Sequence, residues 1–257
     1  MMAFNSSILL AISLSFVIAF VFSMFGQGGG SVYSPLFLLL GFPILISSST
    51  SLVLNLITSI SAGYVFYRKK LIDYRTSFLF APGISLGAFV GGALSKRFET
   101  KFLLWLFFFF LVVVGARMIY SYWEKEKTQE TPRGPLTFPE MVLVAGVGLA
   151  VGFLAGLLGV GGGVLIVPFM VYILKFPTKV AAGSSHLIIS FSALAGILGH
   201  AYSHKFDWQL IVLTGLAVLI GGNLGARLSM RFKTQIIRSG LGLIMWLLAI
   251  QVLFKIY

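Results

Sequence analysis

From Ile8 to Phe25 the chain reads ILLAISLSFVIAFVFSMF, eighteen residues without a charge. Nine more apolar runs follow, over 31–46, 47–67, 76–95, 101–122, 141–158, 164–174, 180–202, 208–228 and 235–254. No Asp or Glu falls inside any of the ten. About 20 apolar residues of helix cross a bilayer's hydrocarbon core. Backbone left unpaired there is so costly that helices and closed barrels are the only structures that span it. The runs therefore predict an all-α integral membrane protein, multi-pass, with about ten segments, some of them short or re-entrant. Only 10% of the 257 residues are charged, against about 25% in a soluble domain, so no soluble domain of any size fits. The first run lacks a basic leader and a small-residue cleavage site, and is expected to be a retained helix.

One polar stretch, residues 124–140, divides the chain into membrane repeats 1–123 and 141–257. The halves are copies. Gly26, Gly28, Gly29, Gly30 and Pro35 return 133 positions later as Gly159, Gly161, Gly162, Gly163 and Pro168. After a one-residue insertion, Ser51, Asp73, Gly87 and Gly91 match Ser185, Asp207, Gly221 and Gly225, and SKRFET from Ser95 matches SMRFKT from Ser229. Five segments per copy is an odd number, so the second copy is expected to be inverted in the membrane.

The net charge of +12 fits that topology, not nucleic acid. With both termini outside, inner loops hold thirteen cations: Arg68, Lys69, Lys70, Arg75, Lys125, Lys127, Arg133, Lys175, Lys179, Arg227, Arg231, Lys233 and Arg238. Outer positions hold five: Lys96, Arg97, Lys101, Lys205 and Lys255. The positive-inside tendency favours this 5+5 arrangement over a four-span repeat, which splits the same residues evenly. A cytoplasmic membrane location follows.

The clusters GQGGGSVYSP and GVGGGVLIVP lie between apolar runs, and the run after the second is short. Glycine breaks a helix and permits a tight turn. The helix that follows starts with unpaired N–H groups and the positive end of its dipole, a place for an anion. Pro35 and Pro168 are expected in the first turns of the new helices, where a missing N–H costs least. Glycine clusters also permit close helix packing, and that reading stands beside the first. The candidate anion site comprises Gln27, Gly28, Gly29, Gly30 and Ser31 from the first turn. It takes Gly161, Gly162, Gly163 and Val164 from the second, with the hydroxyls of Thr50, Ser51, Ser184 and Ser185. Those serines serve equally as helix caps or interhelical bonds. Gln27 departs from the repeat, because its counterpart is Val160; Asn55 and Asn223 raise the same question more weakly.

Other chemistry is thin. The chain has no cysteine, which excludes disulfides and thiol catalysis. With no carboxylate at membrane depth, paired acid–base catalysis, a carboxylate proton relay and a carboxylate sodium site are all disfavoured. Arg117 and Arg227 sit near the inner boundary, where they snorkel. His186 is a candidate for proton coupling, or a structural histidine. His200 and His204 have i, i+4 spacing, which suits metal binding, and with His186 they offer a metal-ion permease as an alternative, but the interfacial reading is simpler. No metal or cofactor is expected.

The paired GxGGG-x4-P clusters, with GAFVGGALSKRF and GGNLGARLSMRF downstream, resemble the TauE/SafE sulfite exporter family over nearly the whole chain. The resemblance implies a secondary transporter that exports sulfite or an organosulfonate, and no enzyme. The rivals are a passive anion channel or a permease for another small anion, and a membrane enzyme or assembly factor. Protons, the lipid bilayer and a homo-oligomeric partner copy complete the expected partners.

Overall fold

The computed structural model describes residues 2–120, 136–201 and 206–231, and residues 243, 246, 247, 249, 250 and 252–254. Among these there is no strand. The helices are α1 (Met2–Ser23), α2 (Gly30–Leu39), α3 (Ile44–Arg68), α4 (Tyr74–Leu94), α5 (Thr100–Tyr120), α6 (Phe138–Leu158), α7 (Gly163–Pro168), α8 (Thr178–Ala201) and α9 (Trp208–Ser229). A 3-10 turn, Ser95–Arg97, follows α4, and a π-helical turn, Phe169–Ile173, extends α7. Among the described residues five helices are long and apolar enough to cross a membrane: α3, α4 with its 3-10 turn, α6, α8 and α9. Most of the 124–140 linker and of the 235–254 segment lies outside the described residues, as does His204.

Local chemistry fixes the ends. Asp73 caps α4 by accepting from Thr76 N–H at 2.8 Å, and its duplicate Asp207 caps α9 by accepting from Leu210 N–H at 3.0 Å. Thr137 and Glu140 form a capping box, so α6 begins inside the stretch read as linker. The run 31–46 does not continue to residue 46. Gly41, at φ 95°, turns the chain, and Pro43 stands at the start of α3. The two prolines also lie deeper than the first turn. Each is the sixth residue of its helix. The proline nitrogen has no proton to give to the carbonyl one turn back. After Pro168 the ladder slips to π bonding, with Leu174 N–H donating to Phe169 O at 3.1 Å.

Without a hydrophobic effect between helices in lipid, close backbone approach holds them together. On α4, Gly87 lies on Leu149 O of α6 and Gly91 on Phe153 O. Their duplicates on α9 do the same to α1, with Gly221 on Phe16 O and Gly225 on Phe20 O. Phe16 and Phe20 are the repeat counterparts of Leu149 and Phe153. From α6, Gly152 and Gly156 return the contact onto Ile84 O and Ala88 O.

The same contacts give direction. Residue numbers rise together along α4 and α6, along α4 and α8 (Ser77 with Ser184, Phe89 with Gly199), and along α1 and α9. The ends of α3 and α9 meet, with Arg68 beside Arg227 around one cavity. By contrast α3 and α8 cross in opposite senses: Leu52 lies on Gly196 and Gly63 on His186. Thus α1, α3 and α9 run one way, and α4, α6 and α8 the other.

A side chain at these glycines meets backbone that has nowhere to go. Gly156→Val and Gly225→Val are each expected to cost about 3 kcal/mol, read as a lower unfolding midpoint in detergent. Gly146→Ala, where nothing lies within 4 Å, should leave the midpoint in place.

Candidate functional site

The two glycine turns meet between α3 and α8. Gly26, Gly28 and Gly29 have φ of 73°, 73° and 105°; Gly159, Gly161 and Gly162 have 72°, 74° and 77°. These are left-handed conformations that residues with a Cβ rarely adopt. The fourth glycine of each cluster does something different. Gly30 lies against Val160 O and Gly163 against the backbone of Gln27. Three glycines therefore shape each turn, and the fourth lets the turns touch.

Each turn is completed by the other half of the chain. Ser51 Oγ donates to Gly159 O at 2.7 Å, and Gly30 O lies at 3.0 Å as its second acceptor. Its duplicate Ser185 Oγ donates to Gly26 O, with Ala182 O at 2.8 Å. Ser48 Oγ adds a bond to Leu158 O at 3.3 Å. These hydroxyls satisfy carbonyls that the broken helices leave without a partner.

Asn55 and Ser59 of α3 lie against the glycines. Gly30 N–H donates to Asn55 Oδ1 at 3.3 Å. Because that bond requires an acceptor, it fixes which way the amide points. Asn55 Nδ2 then packs on Gly161 and has no hydrogen-bond partner. Gly28 packs on Asn55 and on Ser59. Gln27 Oε1, Ser31 Oγ, Thr50 Oγ1 and Ser59 Oγ are likewise buried without partners. Tyr33 packs its ring on Gly29, and its hydroxyl lies 3.1 Å from Thr58 Oγ1. The counterparts of Gln27, Tyr33, Asn55 and Ser59 in the second half are Val160, Ile166, Ile189 and Ala193. Ile189 duly closes on Gly163.

Three expected donors are engaged elsewhere. Ser184 Oγ accepts from Asp73 N–H at 2.8 Å, and so belongs to the start of α4 and not to the turns. The hydroxyls of Ser51 and Ser185 are occupied by carbonyls, as above. Asn55, Ser59 and Tyr33 were not among the expected site residues, and the structure places them against the glycines. Only Asn55 carried a signal in the sequence, as an amide at membrane depth.

His186 is buried, with Nε2 3.2 Å from Ser23 O at the end of α1. A carbonyl only accepts, so the proton sits on Nε2 and Nδ1 is left as an acceptor without a partner. His186 and Ser59 both line a groove of about 410 Å³ between α3, α8 and the start of α4. Ser59 is the residue that covers Gly28, so the groove ends one side chain from the first turn. His200 lies farther along α8, its Nε2 2.8 Å from Gly156 O. Among the described residues no group of three or more His, Cys, Asp or Glu is placed to hold a metal ion.

A family model described as Sulfite exporter TauE/SafE matches residues 11–252. The chain belongs to this family. It is 26% identical over 270 residues to the probable membrane transporter protein YunE of Bacillus subtilis (strain 168), covering 97% of this chain and 98% of that one. A probable membrane transporter protein of Xylella fastidiosa (strain 9a5c) is 27% identical over 260 residues, covering 97% and 96%. Another, MJ0441 of Methanocaldococcus jannaschii, is 23% identical over 261 residues, covering 95% and 94%. No solved structure matches the chain. As a TauE/SafE protein it is a multi-pass membrane transporter and not an enzyme.

Within this TauE/SafE chain the crossed serine bonds predict a paired effect. Ser51→Ala and Ser185→Ala each strand a buried carbonyl and are expected to cost about 2 kcal/mol. Ser184→Ala should cost less, because the amide it releases stands at a helix start. Unfolding midpoints in detergent compare the three, and equal losses would contradict the assignment.

Proposed function

We propose that this TauE/SafE protein is a secondary transporter that exports a small sulfur oxyanion, sulfite or an organosulfonate, across the cytoplasmic membrane. The anion binds where the two glycine turns meet. It is held by backbone N–H groups of Gly28, Ser31 and Gly161 to Val164, and by Asn55 Nδ2, while those of Gly29 and Gly30 donate to Gln27 O and Asn55 Oδ1. The hydroxyls of Ser31, Thr50 and Ser59 add donors. Gln27 closes the site from the first turn.

The observation that carries this reading is the pair of buried, unpartnered groups on α3 that lie against the glycine turns: Asn55 Nδ2 on Gly161 and Ser59 Oγ on Gly28. Leaving such an atom unsatisfied costs about 1–3 kcal/mol. Two such groups beside a contact between two helix breaks form an expensive feature unless a polar guest uses it. The donors are neutral, which suits an anion that must be released again. The substrate class comes from the family description.

Transport proceeds by alternating access, one five-segment repeat rocking against its inverted copy, with both termini outside. The helix directions support the inversion. Each duplicate pair, α1 with α6, α3 with α8 and α4 with α9, is divided between the two opposed sets. His186 carries the coupled proton at Nδ1, beside the groove and the end of α1.

Sulfite counterflow in proteoliposomes tests the reading. Wild type should show trans-stimulation that survives collapse of the membrane potential; a channel shows none. Gln27→Val and Asn55→Ile import the second repeat's own residues and lose polarity. Each is expected to reduce sulfite kcat/KM by about tenfold or more. Wild-type flux with both variants unimpaired would falsify the site. His186→Gln keeps a donor for Ser23 O and has no titrating group. It should retain counterflow and lose accumulation driven by a pH gradient.

A further inference from the structure

The inner ends of α3 and α9 enclose a cavity of about 550 Å³. Its lining carries Arg68 and Lys69 from the end of α3, and Arg227 and Arg231 from the end of α9. Among the described residues no carboxylate stands on that lining. The positive-inside tendency explains why each loop is basic. It makes no demand that cations from two helices, one in each half of the sequence, converge on a single cavity. Four like charges repel one another there, and an anion between them removes that cost.

The cavity also leads somewhere. Tyr64, 53% exposed, lines it, and lines two further grooves. One is the groove of about 410 Å³ that reaches Ser59 and His186; the other, about 470 Å³, runs between α3 and α9 past Ser61 and Asn223. The walls beyond Tyr64 are largely apolar, and low-dielectric walls focus the field of charges at an opening.

We propose that Arg68, Lys69, Arg227 and Arg231 form an anion-collecting mouth that draws a small sulfonate or inorganic oxyanion from water and passes it by Tyr64 to the groove at Ser59. The inference rests on the transport reading for its purpose, but the field itself is measurable without transport.

The chain has no cysteine, so one introduced thiol reports on one place. Met230→Cys puts it on the lining of the mouth, and Ser190→Cys in the deeper groove. The full-length protein in phosphatidylcholine nanodiscs is treated with an anionic methanethiosulfonate (sulfonatoethyl) or a cationic one (trimethylammonium-ethyl). The surrounding charge alters the thiol's ionisation for both reagents alike, so the ratio of their rates isolates approach.

At low salt the anionic reagent should modify Met230→Cys about tenfold faster or more than the cationic one. The ratio should fall toward one at high salt, and when Arg68→Gln, Arg227→Gln and Arg231→Gln are added. Methanesulfonate should slow the anionic reagent. Ser190→Cys should keep the preference in weaker form. Equal rates at Met230→Cys, or no reaction, would overturn the mouth. A preference there with none at Ser190→Cys would reduce it to a surface patch and defeat the route. Loss of the preference in phosphatidylglycerol nanodiscs at matched ionic strength would assign the cations to lipid headgroups, and the proposal fails. A failed sulfite counterflow leaves these ratios unchanged, so the two readings fall separately.

Discussion

A backbone that bends inside a bilayer must find partners for the groups the bend exposes, and this fold finds them in the other half of the chain. The carbonyl of Gly159 is met by Ser51, and that of Gly26 by Ser185. Neither turn is complete in its own repeat. The arrangement also contains a choice. Each hydroxyl has one proton and two acceptors, one in its own half (Gly30 O, Ala182 O) and one in the other. Moving the proton's bond between them exchanges an interlock for a local bond without stranding the hydroxyl.

The repeats agree in everything the backbone requires and disagree in what a ligand would notice. Both keep three left-handed glycines, a fourth for contact, the serine, the helix-capping Asp and the small residues of the α4–α6 and α9–α1 contacts. They part at Gln27, Tyr33, Asn55 and Ser59, which face Val160, Ile166, Ile189 and Ala193 across the duplication. Conformational demands are imposed by steric rules that bind both copies equally. Recognition of one small guest needs one set of donors, and in the proposed site the second copy serves as its wall.

Much of this was legible in the sequence because it is written in spacing. Apolar runs became helices, and the glycine clusters became the turns. What stayed hidden was rotation about each helix axis. In a soluble protein a polar face marks the outside. In lipid both faces are apolar, so nothing in α3 announces that Asn55 and Ser59 look at the turns. Neighbouring residues show the consequence. Ser184 and Ser185 are one residue apart, which is about 100° of helix rotation. One reaches Asp73 at the start of α4, and the other reaches Gly26. Sequence assigned them one role. The depth of Pro35 was misjudged for a related reason: the left-handed glycines set where the helix begins, and composition does not show which glycine is the last of them.

The placement of charge completes the logic. An ion held at membrane depth by a fixed opposite charge is held strongly, because low dielectric magnifies the attraction, and the empty site must then bear a buried charge of its own. This chain has no Asp or Glu in any apolar run, and its described polar groups at the turns are amides and hydroxyls. Neutral donors bind an anion through dipoles, which remain tolerable when the anion departs. In the proposed reading, the attraction that dipoles lack at long range comes from the full charges at the ends of α3 and α9. Long-range capture and short-range holding would then fall to different residues at different depths, each where its solvation cost is lowest.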